Sequence, residues 1–248
     1  MSSTGYLKEI FSSIQGEGLL VGCRQIFVRF LGCNLKCSYC DTPESREMKG
    51  DCHIQASPDM VKSHTVMNPV HVEDTLAFIE SLNVSRHHSV SITGGEALLQ
   101  YEFLEELAVR LKRKNLKNYL ETNGTLPEAL SRCLDAIDII GMDWKLSSAT
   151  GQADVTREHI RFLNVGAKKD IFVKIVVTET TELNEFEEAC LHISKIGSHI
   201  PIVVQPVTAT SAIKSPSSDF LLRLTSIALD YVDDVRVIPQ IQRLLELR

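Results

Sequence analysis

Gln25-Ile26-Phe27-Val28-Arg29-Phe30-Leu31 runs directly into Gly32-Cys33-Asn34-Leu35-Lys36-Cys37-Ser38-Tyr39-Cys40. The first segment is apolar and β-branched or aromatic, so it reads as a strand carrying one charge. The second holds three cysteines spaced C-x3-C-x2-C. Such close spacing lets one short loop wrap its thiolates around a single metal or cluster. Three protein ligands on a [4Fe–4S] cluster leave one iron open, much as a catalytic zinc with three protein ligands keeps a fourth position. The competing reading is a closed structural zinc site with Cys23, Cys52 or His53 as fourth ligand.

Downstream of this loop the chain settles into a rhythm. Short apolar strands are predicted at 89–93, 119–121, 137–143, 171–177, 202–206 and 234–239. Between them lie helical patterns, such as Val72, Leu76, Ile79 and Leu82, with Glu73 and Asp74 favoured in the first turn by the helix dipole. Other helices are expected over 101–111, 126–134, 182–196 and 218–229. Strands alternating with helices pair in parallel through right-handed crossovers. Roughly six or seven such units fall short of a full eight-fold barrel, which takes about 250 residues. The fold class is therefore α/β, an incomplete (β/α) barrel forming a single domain over 1–248. Residues 43–69 are polar with several prolines and histidines, and read as an insertion or surface loop with a short helix.

Composition narrows the setting. The 248 residues are 44% hydrophobic and 23% charged, ordinary for a globular chain. A net charge of −6 and a pI near 5.8 give no basic field for nucleic acid. No apolar run approaches the ~20 residues of a membrane span, and the first twenty residues lack a signal core. Seven cysteines, an odd number, point to ligation in a reducing, cytoplasmic compartment rather than to disulfides. Polar residues gather at the C-terminal ends of the predicted strands, where parallel α/β folds place reactive groups: Thr93-Gly94-Gly95-Glu96, Glu121-Thr122-Asn123, Asp143-Trp144-Lys145 and Gln205-Pro206.

C-x3-C-x2-C ending in Tyr39-Cys40 resembles the signature of the radical S-adenosylmethionine (SAM) superfamily. Ser13-Ile14-Gln15-Gly16-Glu17-Gly18, then Phe27-Val28-Arg29, then Gly32-Cys33-Asn34-Leu35 to Cys40-Asp41-Thr42, is similar to the 7-carboxy-7-deazaguanine synthases within it. The resemblance implies a [4Fe–4S] cluster on Cys33, Cys37 and Cys40 that cleaves SAM to a 5′-deoxyadenosyl radical. It implies a carboxylated tetrahydropterin substrate met by Ile14, Gln15, Gly16, Glu17, Arg29 and Thr93. SAM would be held by Tyr39, Cys40, Asp41, Gly95, the run Asp143, Trp144 and Lys145, and the run Gln205, Pro206, Val207 and Thr208. Mg2+ would sit on Thr42. The partners implied are a second copy of the chain and an electron donor such as flavodoxin or ferredoxin. Read without the family, Arg29 also fits half of an internal salt bridge, Lys145 a surface lysine and Thr42 a turn cap. Two departures stand out: Ala97 follows Thr-Gly-Gly-Glu where proline is usual, and Gln242 stands where relatives tend to have histidine. A glycyl-radical activase would share the cysteines but leaves Gln15, Glu17 and Arg29 without a purpose.

Overall fold

The computed structural model describes residues 3–247. Its strands are β1 (Thr4–Gly5), β2 (Leu7–Ile14), β3 (Arg24–Phe30), β4 (Cys52–Ser57), β5 (Met60–Val66), β6 (Val70–His71), β7 (Ser89–Gly94), β8 (Asn118–Thr122), β9 (Ile139–Trp144), β10 (Asp170–Val177), β11 (Ile202–Pro206) and β12 (Val235–Val237). The helices are α1 (Val72–Ser81), α2 (Tyr101–Arg113), α3 (Pro127–Cys133), α4 (Ser147–Thr150), α5 (Thr156–Gly166), α6 (Leu183–Ile196), α7 (Ser218–Leu229) and α8 (Ile241–Leu244).

Ten of the strands form one sheet in the order β12-β11-β10-β9-β8-β7-β3-β2-β4-β5. From β3 through β12 every neighbouring pair is parallel. The sheet is open, with β12 at one edge and β5 at the other, so the barrel is incomplete as expected. The alternation of side chains across each strand sorts two faces. Ile26, Val28 and Phe30 of β3, Leu120 of β8, Ile140 and Met142 of β9 and Val173 and Ile175 of β10 enter the main core with the buried stripes of the helices. The opposite face carries Phe27, Arg29, Ser91, Thr93, Tyr119, Glu121, Asp143, Phe172, Lys174 and Gln205. Tyr119, Phe172 and Val203 pack together there as a small apolar floor. Above that floor the inner face is polar.

Two expectations need correction. Residues 43–69 are not a loop with a helix: after a 3-10 turn at Pro43–Ser45 they form the β4–β5 hairpin, which lengthens the sheet beyond β2. Ile54 and Cys52 anchor it in the core, and such a short apolar content among polar residues hides a strand whose other face is solvated. No element is predicted between 146 and 170, where α4 and α5 lie. The buried stripe of α5 is His159, Phe162, Leu163 and Gly166, and a buried histidine and glycine blur its helical period. Among the described residues no helix is long and apolar enough to cross a membrane.

Candidate active site

A cavity of about 390 Å³ opens over the polar inner face, within the range of small-molecule sites. Cys33, Cys37 and Cys40 all line it, and all three are free thiols. Burial pushes the thiols of Cys33 and Cys37 upward, so a bound cation is what would draw off their protons. The alternative zinc ligands are elsewhere. Cys52 is fully buried in the core, Cys23 lies outside the cavity, and His53 Nδ1 is 3.3 Å from Thr65 Oγ1 in the hairpin. A closed zinc site with any of them is not built.

The cysteine loop is held from several sides. Gly32 and Cys33 donate to the carbonyls of Ser45 and Arg46, at 2.8 and 3.0 Å, and Arg46 Nη2 donates to Cys37 O at 2.7 Å. Asn123 Nδ2 donates to Asn34 Oδ1, and Asn34 Nδ2 to Thr125 Oγ1, each at 2.8 Å. The two glycines at the end of β7, Gly94 within it and Gly95 just beyond, serve this packing. A Cβ on Gly94, whose φ is +132°, would meet Phe30 O at 2.3 Å, and one on Gly95 would meet Gly32 O at 2.1 Å. Gly94 thus lets the chain approach the end of β3, and Gly95 lets it approach the start of the cysteine loop. Glu96 completes the joint. Its carboxylate accepts from Asn123 N, Leu98 N and Thr122 Oγ1, and burial pushes it up to about 6 against those bonds. Ala97 starts the next 3-10 turn, fully buried, so the missing proline ring leaves the turn intact.

On the floor side, charges alternate. Glu17 Oε2 accepts from Lys174 Nζ, Lys174 lies 3.4 Å from Asp143 Oδ2, and Lys145 Nζ lies 2.7 Å from the same oxygen. These side chains are 12–16% exposed, so Lys145 is not a surface lysine; its ammonium also sits 5.3 Å from the Tyr39 ring centroid. Burial would push Glu17 upward, but Lys174 and two glutamine amides hold it down, at about 2. Glu121 accepts from Gln15 Nε2 and Ser91 Oγ, and burial pushes its carboxyl upward. Arg29 forms the internal salt bridge that its place in an apolar strand suggests. Its Nε donates to Glu9 Oε1 at 2.9 Å, yet its side chain also lines the cavity.

Ile14, Gln15, Gly16, Glu17, Arg29, Thr93, Tyr39, Asp41, Thr42, Gly95, Asp143, Lys145, Gln205 and Val207 join the three cysteines around this cavity. Trp144, Pro206 and Thr208 do not. Trp144 points to the core face, its ring tilted against His159 with centroids 4.9 Å apart, because it stands between the cavity-facing Asp143 and Lys145 on an alternating stretch. Thr208 instead donates to Gln240 Oε1 at 2.6 Å. The Thr42 side chain makes no capping bond, contrary to the turn-cap reading. Lys174, Glu121 and the tail glutamines Gln240 and Gln242 are also part of the lining. Lys174 was findable by the signal that marks Arg29, a lone charge within an apolar strand. The tail glutamines carry no such signal.

Among the described residues, the Tyr39 hydroxyl, Asp143 Oδ1, Gln205 Oε1 and Gln242 Oε1 are buried without a hydrogen-bond partner, and all four residues line this cavity. Buried polar atoms are normally satisfied, so these four suit a polar ligand. Three soft thiols suit an iron–sulfur cluster, and the oxygen of Thr42 at the mouth suits a hard cation.

The Radical SAM superfamily model matches residues 27–161. The 7-carboxy-7-deazaguanine synthase of Geobacter sulfurreducens is 40% identical over 242 residues, covering 96% of each chain. That of Methanothermobacter thermautotrophicus is 36% identical, covering 97% of this chain and 96% of its own. The crystal structure of QueE from Escherichia coli superposes with a TM-score of 0.57 at 21% identity, over 94% of both chains, and so shares the fold. With three free thiols converging beside a glycine-gripped loop on an open, mostly parallel sheet, and full-length relatives at this identity, the chain belongs to the 7-carboxy-7-deazaguanine synthase family of radical SAM enzymes.

Proposed function

We propose that this enzyme converts 6-carboxy-5,6,7,8-tetrahydropterin to 7-carboxy-7-deazaguanine with loss of ammonia, a step of queuosine-type 7-deazapurine biosynthesis. The carrying observation is that one cavity joins the three thiols to a mostly buried polar layer of Glu17, Gln15, Glu121 and Lys174 above the apolar floor. Cys33, Cys37 and Cys40 would hold the [4Fe–4S] cluster, leaving one iron for SAM. The cluster and SAM, when bound, supply the hydrogen-atom abstraction.

The protein's own share is orientation and exclusion of water. Glu17 and Glu121 offer acceptors, and Gln15 both an acceptor and donors, to the amide and amino edge of a pterin. Arg29, anchored through Nε, would turn its remaining N–H groups toward the substrate carboxylate. Lys145, Asp143, Tyr39 and Gln205 would meet SAM, with Trp144 acting from behind as packing rather than as a contact. Thr42 would hold Mg2+ together with oxygens of substrate and water. The tail crosses the mouth: Ile241 N donates to Gly16 O at 2.9 Å, and Gln240 and Gln242 donate to Glu17. A cavity of about 390 Å³ crossed by the tail favours a small molecule over the peptide that a glycyl-radical activase must admit.

The same proposal includes one domain over the chain, a homodimer and an electron donor of the flavodoxin or ferredoxin class, each open to direct measurement. Anaerobic incubation with SAM, a reductant and the carboxytetrahydropterin tests the reaction by mass analysis for the deazaguanine. SAM cleavage without any deazaguanine would refute the substrate assignment.

A further inference from the structure

Lys174 sits at the centre of the floor without an assigned role. Its place is set by register: it pairs with Asp143 across β9 and β10, so both side chains rise on the same face. Its neighbours on that face of the strand, Phe172 and Val176, are apolar, and its ammonium meets carboxylates on two sides, Glu17 and Asp143. Glu17, by contrast, stands on no strand. It lies between Gly16 and Gly18, the latter at φ +65°, as the extended residue that leads into a 3-10 turn, outside the register of the sheet.

The two oxygens of Glu17 are treated differently. Oε2 is taken by Lys174, which is rooted in the sheet. Oε1 accepts amide N–H groups from Gln240 and Gln242, at 2.8 and 2.9 Å, on a tail whose last helix ends in the exposed Leu244 and Leu245. Those amides are the same kind of donor as a pterin's amide and amino groups, so Oε1 is where substrate and tail can exchange. We propose that Lys174 is a positioning residue that clamps Glu17 through Oε2 and keeps its other oxygen aimed, as an anion, at the N–H edge of the substrate. This rests on the pterin reading above.

Electrostatics support the geometry. The charges around Glu17 are otherwise those of Glu121 on β8, Asp143 on β9 and Asp41 in the cysteine loop, with Arg29 and Arg243 beyond Asp41 and the Tyr119 hydroxyl on the floor. Lys174 is the largest influence holding Glu17 ionised against its burial. Without it, a carboxylate among carboxylates takes up a proton and turns toward solvent.

The test uses the reconstituted holoenzyme. Lys174→Met should raise KM for the carboxytetrahydropterin at least tenfold while KM for SAM stays within threefold. Pterin binding in this variant should weaken as pH falls from 8 to 6, where the wild type is flat. Glu17→Gln/Lys174→Met should be no worse than Lys174→Met, because the lysine acts through the carboxylate. An unchanged pterin KM in Lys174→Met, or effects that multiply in the double variant, would overturn the inference. If Lys174→Met does not fold, the charge-neutral double variant is compared with Glu17→Gln; equal KM supports the clamp, and a further tenfold rise overturns it. Failure of the wild type to turn over the pterin would sink the substrate reading instead, which keeps the two failures apart.

Discussion

Gly95→Ala puts one methyl group where the structure has no room. Its Cβ would lie 2.1 Å from Gly32 O, 2.7 Å from Gly32 C and 2.8 Å from Ser45 O. All three are backbone atoms, so no side chain can swing aside. Reaching ordinary contact requires the end of β7 and the start of the cysteine loop to part by more than about 1 Å. That motion pulls on two hydrogen bonds, Glu96 N to Gly32 O at 2.7 Å and Gly95 N to Phe30 O at 3.1 Å. Losing them costs about 1–3 kcal/mol together, the usual size of an overpacking penalty. For a chain of this length the melting temperature then drops by roughly 2–12 °C. The larger effect is on the site, because Gly32 precedes Cys33. A displacement near 1 Å is enough to lower turnover about a hundredfold. The assays are thermal unfolding of the protein and iron and sulfide content after anaerobic reconstitution. A Gly95→Ala protein with wild-type melting temperature, full cluster and full activity would refute the reasoning.

Three other outcomes are expected. Cys33→Ala, Cys37→Ala and Cys40→Ala should each abolish the iron–sulfur absorbance, while Cys23→Ala and Cys52→Ala keep it, Cys52→Ala at some cost in core packing; loss of iron in Cys52→Ala equal to that in Cys37→Ala would contradict the open-iron arrangement. Thr42→Val should retain cluster and SAM binding but lose most Mg2+ stimulation of turnover, with Thr42→Ser close to wild type, and equal stimulation in Thr42→Val would remove the residue from the metal site. Glu17 is held below its usual range, from 4.5 to about 2, so its contribution is present above pH 4.5 and disappears as pH falls toward 2. It amounts to about 3 kcal/mol at most, and the stability gap between wild type and Glu17→Gln, read by denaturant titration, should close over that window; a gap independent of pH would show that Glu17 is not an ionised partner of Lys174.

Residues close in sequence made the cluster loop legible. Cys33, Cys37 and Cys40 share one loop, and nothing but their spacing is needed to bring three thiols together. Apart from α4 and α5, the helical and strand periods from Val72 onward were equally plain, because those elements carry their own burial stripes and alternating helices and strands admit little besides a parallel sheet. Where a pattern was weak, tertiary contact decided. The β4–β5 hairpin exists because β2 offers it an edge, and α5 because Phe162 and Leu163 find the core. The direction of a side chain was decided there too. Asp143, Trp144 and Lys145 read as one motif, yet strand alternation sends Trp144 into the core and its neighbours into the cavity. Longest in reach is the contact between Glu17, Lys174 and Gln242, from three distant parts of the chain. A sequence states which charges exist. Which of them pair depends on register across a sheet and on where a tail comes to rest, and both are properties of the assembled core.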